Sequence, residues 1–301
     1  MDVRLDLRRL EVLREFADRG SVAGVAQALH MTPSAVSQQL KALAKEAGVE
    51  VVEPVGRRIR LTAAGEALVV RADEILAAVQ RAADEMAGYR GGTGGRVRVA
   101  MFPSGAALLA PGMLTRLAAE GIAAEIADFD VSYPDASSGL TDHDLVVTHR
   151  DELAARLSRP RVKAVELMRE PLDVVVAADH PLAQAGSVQV ADLADADWIS
   201  VRGGFPVDDV LMSIATITGV APRITQRLLD FTTIEAMVAA GHGIALMPRH
   251  AVRNPHVRPL VLAGVRAARV YEVLVRPQAQ RRTTISQAIE ALRAEAASID
   301  C

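Results

Sequence analysis

A row of polar side chains follows helical spacing near the start of the chain. It consists of Ser34, Ser37, Gln38, Lys41 and Lys45. Because residues three or four positions apart share one face of a helix, hydroxyl and amide groups come first on this face and positive charges follow. Small polar groups near a helix N-terminus can reach base edges or phosphates, and lysines further along can meet the nucleic-acid backbone. This face therefore indicates nucleic-acid recognition.

The elements that must hold this face are three helices joined by short turns. Leu7 to Arg19 is predicted as the first helix, and Ser21 can cap the second one. The second helix has an apolar stripe at helical spacing, made of Val22, Val25, Ala26 and Leu29. Thr32 suits the N-cap of the third helix and Pro33 its first position. The inward face of the third helix is apolar, with Val36, Leu40, Leu43 and Ala47. This arrangement is a helix-turn-helix.

A change of pattern after Gly48 predicts a small hairpin, or wing. Val49, Val51 and Val52 favour a strand, and Gly56 permits a turn. The wing carries three arginines, Arg57, Arg58 and Arg60. One interpretation is contact with phosphates or the minor groove beside the third helix. The other is a hairpin whose arginines are only solvated.

These N-terminal residues together resemble the LysR-type transcriptional regulators. The resemblance rests on Gly20-Ser21, Val25-Ala26, Leu29, Ser34-Ala35-Val36-Ser37, Leu40, Leu43, Gly48 and the run from Arg57 to Gly65. It implies an N-terminal all-α winged helix-turn-helix over residues 1–62 that binds double-stranded DNA. The predicted DNA contacts are Thr32, Pro33, Ser34, Ser37, Gln38, Lys41, Arg57, Arg58 and Arg60. Two positions depart from the family pattern, because Pro33 replaces a base-contacting polar residue and Pro54 replaces an arginine that contacts phosphate.

Residues 63–90 are predicted to form a long linker helix. Its apolar residues alternate steps of four and three, which is the spacing of a coiled-coil seam. The seam consists of Leu68, Ala72, Ile75, Val79, Ala82 and Met86. A homodimerisation helix is favoured over a helix packed on its own domain, because a glycine-rich hinge follows at residues 91–95 and two reading heads would recognise a palindromic operator. The LysR resemblance also implies pairing of this kind and assembly into a homotetramer.

Short apolar strands alternate with amphipathic segments over residues 96–301, a pattern typical of an α/β domain. Strands are predicted at Arg96 to Phe102, Leu145 to Thr148, Leu172 to Ala178 and Trp198 to Val201, and helices at Ala106 to Leu117 and Ile285 to Ala297. The LysR resemblance continues through Asp179-His180-Pro181-Leu182-Ala183, Ala191-Asp192-Leu193 and the run from Val238 to Pro248. It implies a C-terminal α/β two-subdomain periplasmic-binding-protein-like effector domain. Subdomain I would span about 96–171 and 266–301, and subdomain II about 172–265.

Ligands of open α/β sheets bind at the carboxyl ends of strands and the N-termini of helices. Contacts to a small-molecule effector are therefore predicted at Pro103, Ser104, Thr148, His149, Arg202, Gly203, Phe231 and Thr232. The resemblance singles out Ser104, whose position is similar to that of the family's effector-contacting hydroxyl; a helix cap is the alternative. Thr232 and Glu235 have capping-box spacing. Arg202 would fix an anionic group or lie on the rim, and His149 would contact the ligand or form the wall.

Composition excludes several other classes of protein. The formal net charge is −3 and aromatic residues make up 3% of the chain, so nucleic-acid binding must come from a local patch. The single cysteine, Cys301, can form neither an internal disulfide nor a metal cluster. Enzyme motifs and cofactor fingerprints are missing from the sequence, and so are a signal peptide and a membrane-spanning apolar run. The sequence predicts a cytoplasmic protein with no catalytic residues, no metal, no cofactor and no membrane partner.

The favoured function is a DNA-binding transcriptional regulator whose C-terminal domain binds a small-molecule effector and thereby alters operator binding. One alternative is a constitutive winged-helix DNA-binding protein that has no small-molecule effector. The other is a solute-binding protein, which would share the C-terminal fold but would need an export signal and would have no use for a basic helix-turn-helix.

Overall fold

The computed structural model describes residues 4–56, 58–89, 95–219 and 221–299. Arg57, Cys301 and most of the predicted hinge at 91–95 lie outside the described residues. None of the described helices combines the length and the apolarity that a membrane-spanning segment needs.

Three helices form the N-terminal module: α1 (Leu7–Arg19), α2 (Val22–Ala28) and α3 (Pro33–Ala47). Their ends lie where the capping residues predict. Gly20 ends α1 in the left-handed conformation at φ 66°, and the Ser21 side chain accepts the N–H of Gly24 at the start of α2. The buried core of the three helices consists of Leu10, Val12, Leu13, Phe16, Val25, Ala26, Val36, Leu40, Leu43 and Ala44. The predicted helix-turn-helix is confirmed.

The wing is an antiparallel hairpin of β1 (Val52–Val55) and β2 (Arg58–Leu61). Its first strand begins later than Val49 indicates, because Val51 is fully buried in the helical core. The next helix starts directly behind the wing, where the Thr62 hydroxyl donates to the Glu50 carbonyl and accepts the N–H of Gly65. A Cβ added at Gly65 would lie 2.0 Å from the Val51 carbonyl oxygen, so only glycine allows this close approach.

The long helix α4 (Ala63–Tyr89) uses its apolar seam in two ways. In its first half, Ala72 is fully buried, and Leu68 and Ile75 pack on the core of the N-terminal module. In its second half, Val79, Ala82 and Met86 are exposed. The interpretation of the seam as packing on its own domain is therefore correct for the first half, and the second half stays available to a partner.

The C-terminal region is built on one ten-stranded sheet. Its strands are β3 (Arg96–Met101), β4 (Ala123–Asp128), β5 (Leu145–Asp151), β6 (Lys163–Ala177), β7 (Ser187–Gln189), β8 (Asp197–Ser200), β9 (Arg223–Arg227), β10 (Ile244–Pro248), β11 (Val257–Ala263) and β12 (Ala268–Val275). The strand order is β4-β3-β5-β12-β6-β10-β8-β9, and β11 pairs with β6 and β7. The helices are α5 (Pro103–Ala119), α6 (Pro206–Thr218), α7 (Phe231–Ala239) and α8 (Thr283–Ser298).

Two large hydrophobic cores lie along this sheet, and β6 joins them. Through Pro171, β6 pairs with β12, and from Leu172 onward it pairs with β10 and β11. The first core includes side chains of α5 and α8, and the second includes side chains of α6 and α7. The predicted two-subdomain α/β fold of the C-terminal region is confirmed, and its exact domain boundaries stay predictions.

Several elements are longer than the sequence indicates. The predicted strand from Leu172 is the second half of the continuous strand β6. The helix predicted from Ala106 already begins at Pro103 and continues through Pro111, where the missing N–H removes one helical bond without ending the helix. Tertiary pairing and packing extend these elements beyond their local apolar patterns.

Candidate functional site

The polar row of α3 lies on the protein surface. Ser34, Gln38, Lys41 and Lys45 are exposed and Ser37 is partly exposed. The Thr32 hydroxyl accepts the N–H of Ala35 at 3.2 Å and lies 3.1 Å from the Ser34 hydroxyl. The Ser37 hydroxyl donates to the Pro33 carbonyl at 3.0 Å. The start of α3 thus presents hydroxyl groups where the helix dipole favours a phosphate, and its later turns present lysines.

The wing carries its described arginines on β2. Arg58 and Arg60 are both exposed. Arg60 forms an ion pair with Glu53 on β1 at 2.7 Å, which partly neutralises its charge. Arg58 is therefore the stronger candidate for a phosphate contact. Arg57 lies outside the described residues, so its predicted contact stays a prediction.

A buried ion pair joins β6 and β12 near the middle of the C-terminal sheet. Nε of Arg269 donates to the Glu170 carboxylate at 2.7 Å, and their side chains are 1% and 0% exposed. The Tyr271 hydroxyl donates to the same carboxylate oxygen at 2.8 Å, and Nη2 of Arg269 donates to this hydroxyl at 2.6 Å. Burial raises the pKa of Tyr271, so its hydroxyl keeps its proton. Charges so deeply buried require such complete pairing.

Ser104 joins this network from the first turn of α5. Its hydroxyl accepts a hydrogen bond from Nη2 of Arg269 at 3.1 Å. The N-cap of α5 is Phe102, which makes no side-chain capping bond, so the alternative role of Ser104 as a helix cap is wrong. Gly105 leaves room for the Phe102 ring, because a Cβ there would lie 2.5 Å from a ring carbon.

Aromatic rings surround the Arg269 guanidinium. Its central carbon lies 5.2 Å from the ring centre of Phe102, 5.8 Å from that of Phe231 and 4.9 Å from that of Tyr271. These distances allow cation–π attraction. The ring centre of His149 lies 4.1 Å from that of Phe102. The four rings come from four separate segments that meet at this one place, which we call the cleft.

His149 is the one cleft side chain with an unsatisfied polar atom among the described residues. Its Nδ1 is buried and makes no hydrogen bond to any described group. Burial lowers the pKa of His149 well below its usual value, and the charge of Arg269 lowers it further, so the ring is neutral. A neutral imidazole offers one donor and one acceptor. Leaving a buried polar atom unpaired costs about 1–3 kcal/mol, so a ligand that pairs with Nδ1 would gain affinity.

A second set of opposite charges lies at the edge of the cleft. Arg202 is exposed, and its guanidinium carbon lies 5.9 Å from the ring centre of Phe205. Burial raises the pKa of Asp130, while the charges of Arg269 and Arg202 lower it. Asp130 is therefore within electrostatic reach of both arginines. Both predicted roles of Arg202, fixing an anionic group or lying on the rim, stay predictions, and the exposed Gly203 lies beside it.

The prediction that a strand ends at Thr148 and His149 is wrong. Strand β5 continues to Asp151 because Arg150 and Asp151 also pair with β12. Successive strand residues point to opposite faces. His149 is paired with Tyr271 on the cleft face, and Thr148 is therefore buried on the other face, opposite Glu272. Two further predicted residues border the cleft: Pro103, which is exposed and follows Phe102 in the chain, and the partly buried Phe231.

The capping box predicted for Thr232 and Glu235 is also wrong. Asp230 is the N-cap of α7, and its carboxylate accepts the N–H of Thr232 at 2.8 Å. Glu235 is 5% exposed and accepts the backbone N–H groups of Arg253 at 2.6 Å and Asn254 at 3.0 Å. An aspartate one position before the helix thus caps it, and Glu235 instead accepts hydrogen bonds from backbone N–H groups of the loop after β10. The Thr232 side chain is exposed at the start of α7.

Three central cleft residues, Glu170, Arg269 and Tyr271, were missed by the sequence analysis. The sequence of β12 does contain a signal for a buried charged pair, because Arg269 and Glu272 interrupt an otherwise apolar run. A charged residue within a strand that is buried on both faces needs a partner, because charged side chains are rarely fully buried alone. The identity of that partner follows only from the fold.

Comparisons with known proteins agree with this geometry. Residues 7–66 match the family described as "Bacterial regulatory helix-turn-helix protein, lysR family", and residues 90–297 match "LysR substrate binding domain". The chain belongs to the LysR family of bacterial transcriptional regulators. This LysR-type regulator therefore combines a DNA-binding helix-turn-helix with a substrate-binding domain.

Several named bacterial regulators are similar to this chain. The DNA-binding transcriptional dual regulator OxyR of Escherichia coli (strain K12) is 27% identical, covering 96% of this chain and 95% of its own. The transcriptional dual regulator GltC of Bacillus subtilis is 26% identical, covering 81% of each chain. The solved structure of a full-length OxyR variant of Pseudomonas aeruginosa has a TM-score of 0.69 at 20% identity, covering 99% of this chain and 96% of that one. This last likeness concerns the fold alone.

Some of the similar proteins are named for a response to an oxidant. Relatives from Escherichia coli O157:H7 and other bacteria are named hydrogen peroxide-inducible genes activators. The present sequence contains a single cysteine, Cys301. A disulfide within one chain requires two cysteines, so the single cysteine cannot form an internal disulfide.

Proposed function

We propose that this LysR-type regulator binds a palindromic DNA operator as a homodimer, assembles further into a homotetramer, and responds to a small-molecule effector in the cleft. The observation that carries the effector part of the proposal is the buried, unpaired Nδ1 of His149, whose ring lies against Phe102. We further propose that the protein acts in the cytoplasm, where its DNA is, and that it has no catalytic activity.

The proposed DNA contacts follow from the exposed surface of α3 and the wing. Ser34, Ser37 and Gln38 would contact base edges, since hydroxyl and amide groups can pair with bases in the major groove. Lys41 and Arg58 would contact phosphates and contribute affinity on any sequence. A structure of the relative CbnR was determined with its target DNA, and its fold agrees with the present one at a TM-score of 0.55 and 22% identity, covering 97% of this chain and all of that one.

The proposed dimer uses the second half of α4. Val79 and Met86 are large apolar side chains on this part of the helix, and they are 45% and 48% exposed. They continue the seam whose first half is buried on the N-terminal module. Pairing these halves of two α4 helices would cover them and hold two α3 helices at a fixed spacing, as a palindrome requires.

The effector proposed for the cleft is a small molecule with a planar or apolar part and a hydrogen-bonding group. Phe102 and Phe231 supply apolar surface, and His149 supplies the polar partner. Binding would change DNA recognition by shifting the equilibrium between two arrangements of the subdomains. The shift can be no larger than the difference in the effector's affinity for the two arrangements.

A constitutive DNA-binding protein without an effector is the second candidate. Its support is the Arg269 side chain, which fills the aromatic part of the cleft and is already paired with Glu170, Tyr271 and Ser104. In that case Arg269 would occupy the cleft permanently.

A thermal-shift screen tests between the two candidates. The purified protein is heated with a panel of amino acids, aromatic carboxylic acids and aliphatic amines at millimolar concentration. A ligand at 100 times its dissociation constant stabilises the folded state by about 2.7 kcal/mol, so a hit should raise the melting temperature by several degrees. Ser104→Ala should remove this rise and leave operator binding intact. A panel without hits supports the constitutive candidate, and loss of operator binding in Ser104→Ala would indicate misfolding.

A further inference from the structure

Two carboxylates of the DNA-binding module are buried against the C-terminal domain. Asp18 lies near the end of α1 and Asp73 lies in α4, and their side chains are 8% and 3% exposed. Asp18 is one residue from the C-terminus of α1, where the helix dipole disfavours a negative charge. Both carboxylates therefore need cationic partners to remain buried.

Two arginines of the C-terminal domain supply those partners. Arg161 holds Asp73 with two hydrogen bonds, from Nε at 2.6 Å and from Nη2 at 3.1 Å, and its Nη1 donates to Asp18 at 2.8 Å. Arg276 donates to the other Asp18 oxygen at 2.6 Å and approaches Asp73 to 4.0 Å. We call this closed group of two aspartates and two arginines the interdomain clamp.

The two arginines stand at one end of a pair of strands, and the cleft residues stand at the other. Arg161 precedes β6 and Arg276 follows β12, next to the paired residues Lys163 and Val275. At the opposite end of the same antiparallel pair, Glu170 is paired with Arg269. The chain from Arg269 to Arg276 covers about 23 Å at roughly 3.3 Å per extended residue. One two-stranded ribbon, which contains a β-bulge between Tyr271 and Glu272, thus connects the cleft to the clamp.

Flanking ion pairs also join the two parts of the chain, but they are not attached to the ends of this ribbon. Arg19 of α1 pairs with Asp142 at 2.6 Å. Arg282, at the start of α8, pairs with Asp84 of α4 at 2.9 Å. These contacts help to dock the modules, and they provide a comparison for the role of the clamp.

We propose that the interdomain clamp transmits a change at the Glu170–Arg269 pair through the β6–β12 ribbon to α1 and α4, and so sets the orientation of the DNA-reading helices. The proposal rests on the DNA-binding function proposed above. A hydrogen-bonded strand pair resists bending more than a loop does, and β5 supports β12 on its other side from Arg269 to Val275. A change of twist at the cleft end would therefore pass the bulge and move Arg161 and Arg276 together. The aspartates that they hold belong to the two helices that position α3 and the wing.

The test is a double-mutant cycle on DNA affinity. The cleft end is changed by Tyr271→Phe, which removes the hydroxyl between Glu170 and Arg269. The clamp is opened by the double change Arg161→Ala and Arg276→Ala. The probe is a duplex selected by the wild-type protein from a random-sequence library, and affinity is measured by fluorescence anisotropy on the full chain. Coupled sites typically change each other's affinities by about 5- to 150-fold.

We expect Tyr271→Phe to change operator affinity at least about fivefold when the clamp is intact, in line with such coupling, and less than about twofold when the clamp is open. In an Arg282→Ala background, where a flanking pair is lost and the clamp remains, the full effect of Tyr271→Phe should persist. The clamp is excluded as the route if Tyr271→Phe has no effect in the wild-type background, or has the same effect with the clamp open.

Folding and function are controlled separately. If circular dichroism shows that the double alanine variant does not fold, Asp18→Asn replaces it. This change preserves the shape of the side chain and removes its charge. It should also reduce the effect of Tyr271→Phe on operator affinity. Arg96→Ala removes an ion pair with Glu125 inside the C-terminal domain and should leave the coupling unchanged. If the wild-type protein selects no duplex at all, the proposed DNA-binding function fails, and that outcome is distinct from an uncoupled clamp.

Discussion

The DNA-reading face and the cleft are both polar, but they are built in opposite ways. The face on α3 comes from one helix, is exposed, and draws its geometry from residues three or four positions apart. The cleft is buried and joins residues far apart in sequence, with separations of 99 residues for Arg269 to Glu170 and 165 for Arg269 to Ser104. Function on the first surface can change without loss of stability, whereas in the cleft the two are linked.

The largest expected effect is on the buried pair of the cleft. Glu170→Ala leaves the Arg269 guanidinium buried without its carboxylate, and breaking a buried pair in this way costs about 3–5 kcal/mol. Urea denaturation, monitored by circular dichroism, should show this loss in the free energy of unfolding. Glu125→Ala, which breaks an exposed pair with Arg96, should cost at most about 1 kcal/mol. Equal losses in the free energy of unfolding for the two variants would mean that the buried pair of the cleft stabilises the fold no more than an exposed pair does.

A smaller effect is expected on the DNA-reading face, and there it should concern binding alone. Gln38→Ala should weaken binding to the selected duplex by about 1–3 kcal/mol, because a lost base contact lowers discrimination by that amount. Stability should change by no more than about 0.5 kcal/mol, as for other surface substitutions. Arg58→Ala is the matched control and should weaken binding about equally on selected and random duplexes. A uniform loss for Gln38→Ala would show that it contacts phosphate and not bases.

The smallest effect is the contribution of His149 to the pH dependence of stability. Burial lowers its folded pKa well below 6.5, so below about pH 6.5 the unfolded chain binds a proton that the folded chain does not bind. The stabilising contribution is complete above that pH and falls as the pH falls, by up to about 1.4 kcal/mol per pH unit. Melting temperatures from pH 7.5 to 5.5 should therefore fall less steeply in His149→Phe than in the wild type. The exposed His256→Gln should keep the wild-type slope, and an unchanged slope in His149→Phe would contradict a neutral buried His149.

The same contrast explains which features could be predicted from the sequence. The ends of α1 and the start of α4 were predicted correctly, because caps, glycines and helical spacing are local signals. Ser104 was predicted as an effector contact because its position is similar to that of the family's effector-contacting hydroxyl. Its hydrogen bond with Arg269 could not be predicted, since nothing local connects residues on α5 and β12. The capping role of Thr232 was predicted wrongly for a related reason. Glu235 has the right spacing for a capping box, but it accepts a hydrogen bond from the backbone of Arg253 in a distant loop.

The close contact at Gly65 joins the wing and α4 into one rigid angle. The helix that starts there is about 40 Å long at roughly 1.5 Å per residue, so a tilt of about 5° at its base moves its far end by about 3.5 Å. A distance of that size is comparable to one base-pair step along DNA. The contact between Gly65 and the Val51 carbonyl oxygen, together with the packing of Leu68, Ala72 and Ile75 on the module core, therefore fixes the direction of α4 closely enough to matter on the scale of DNA.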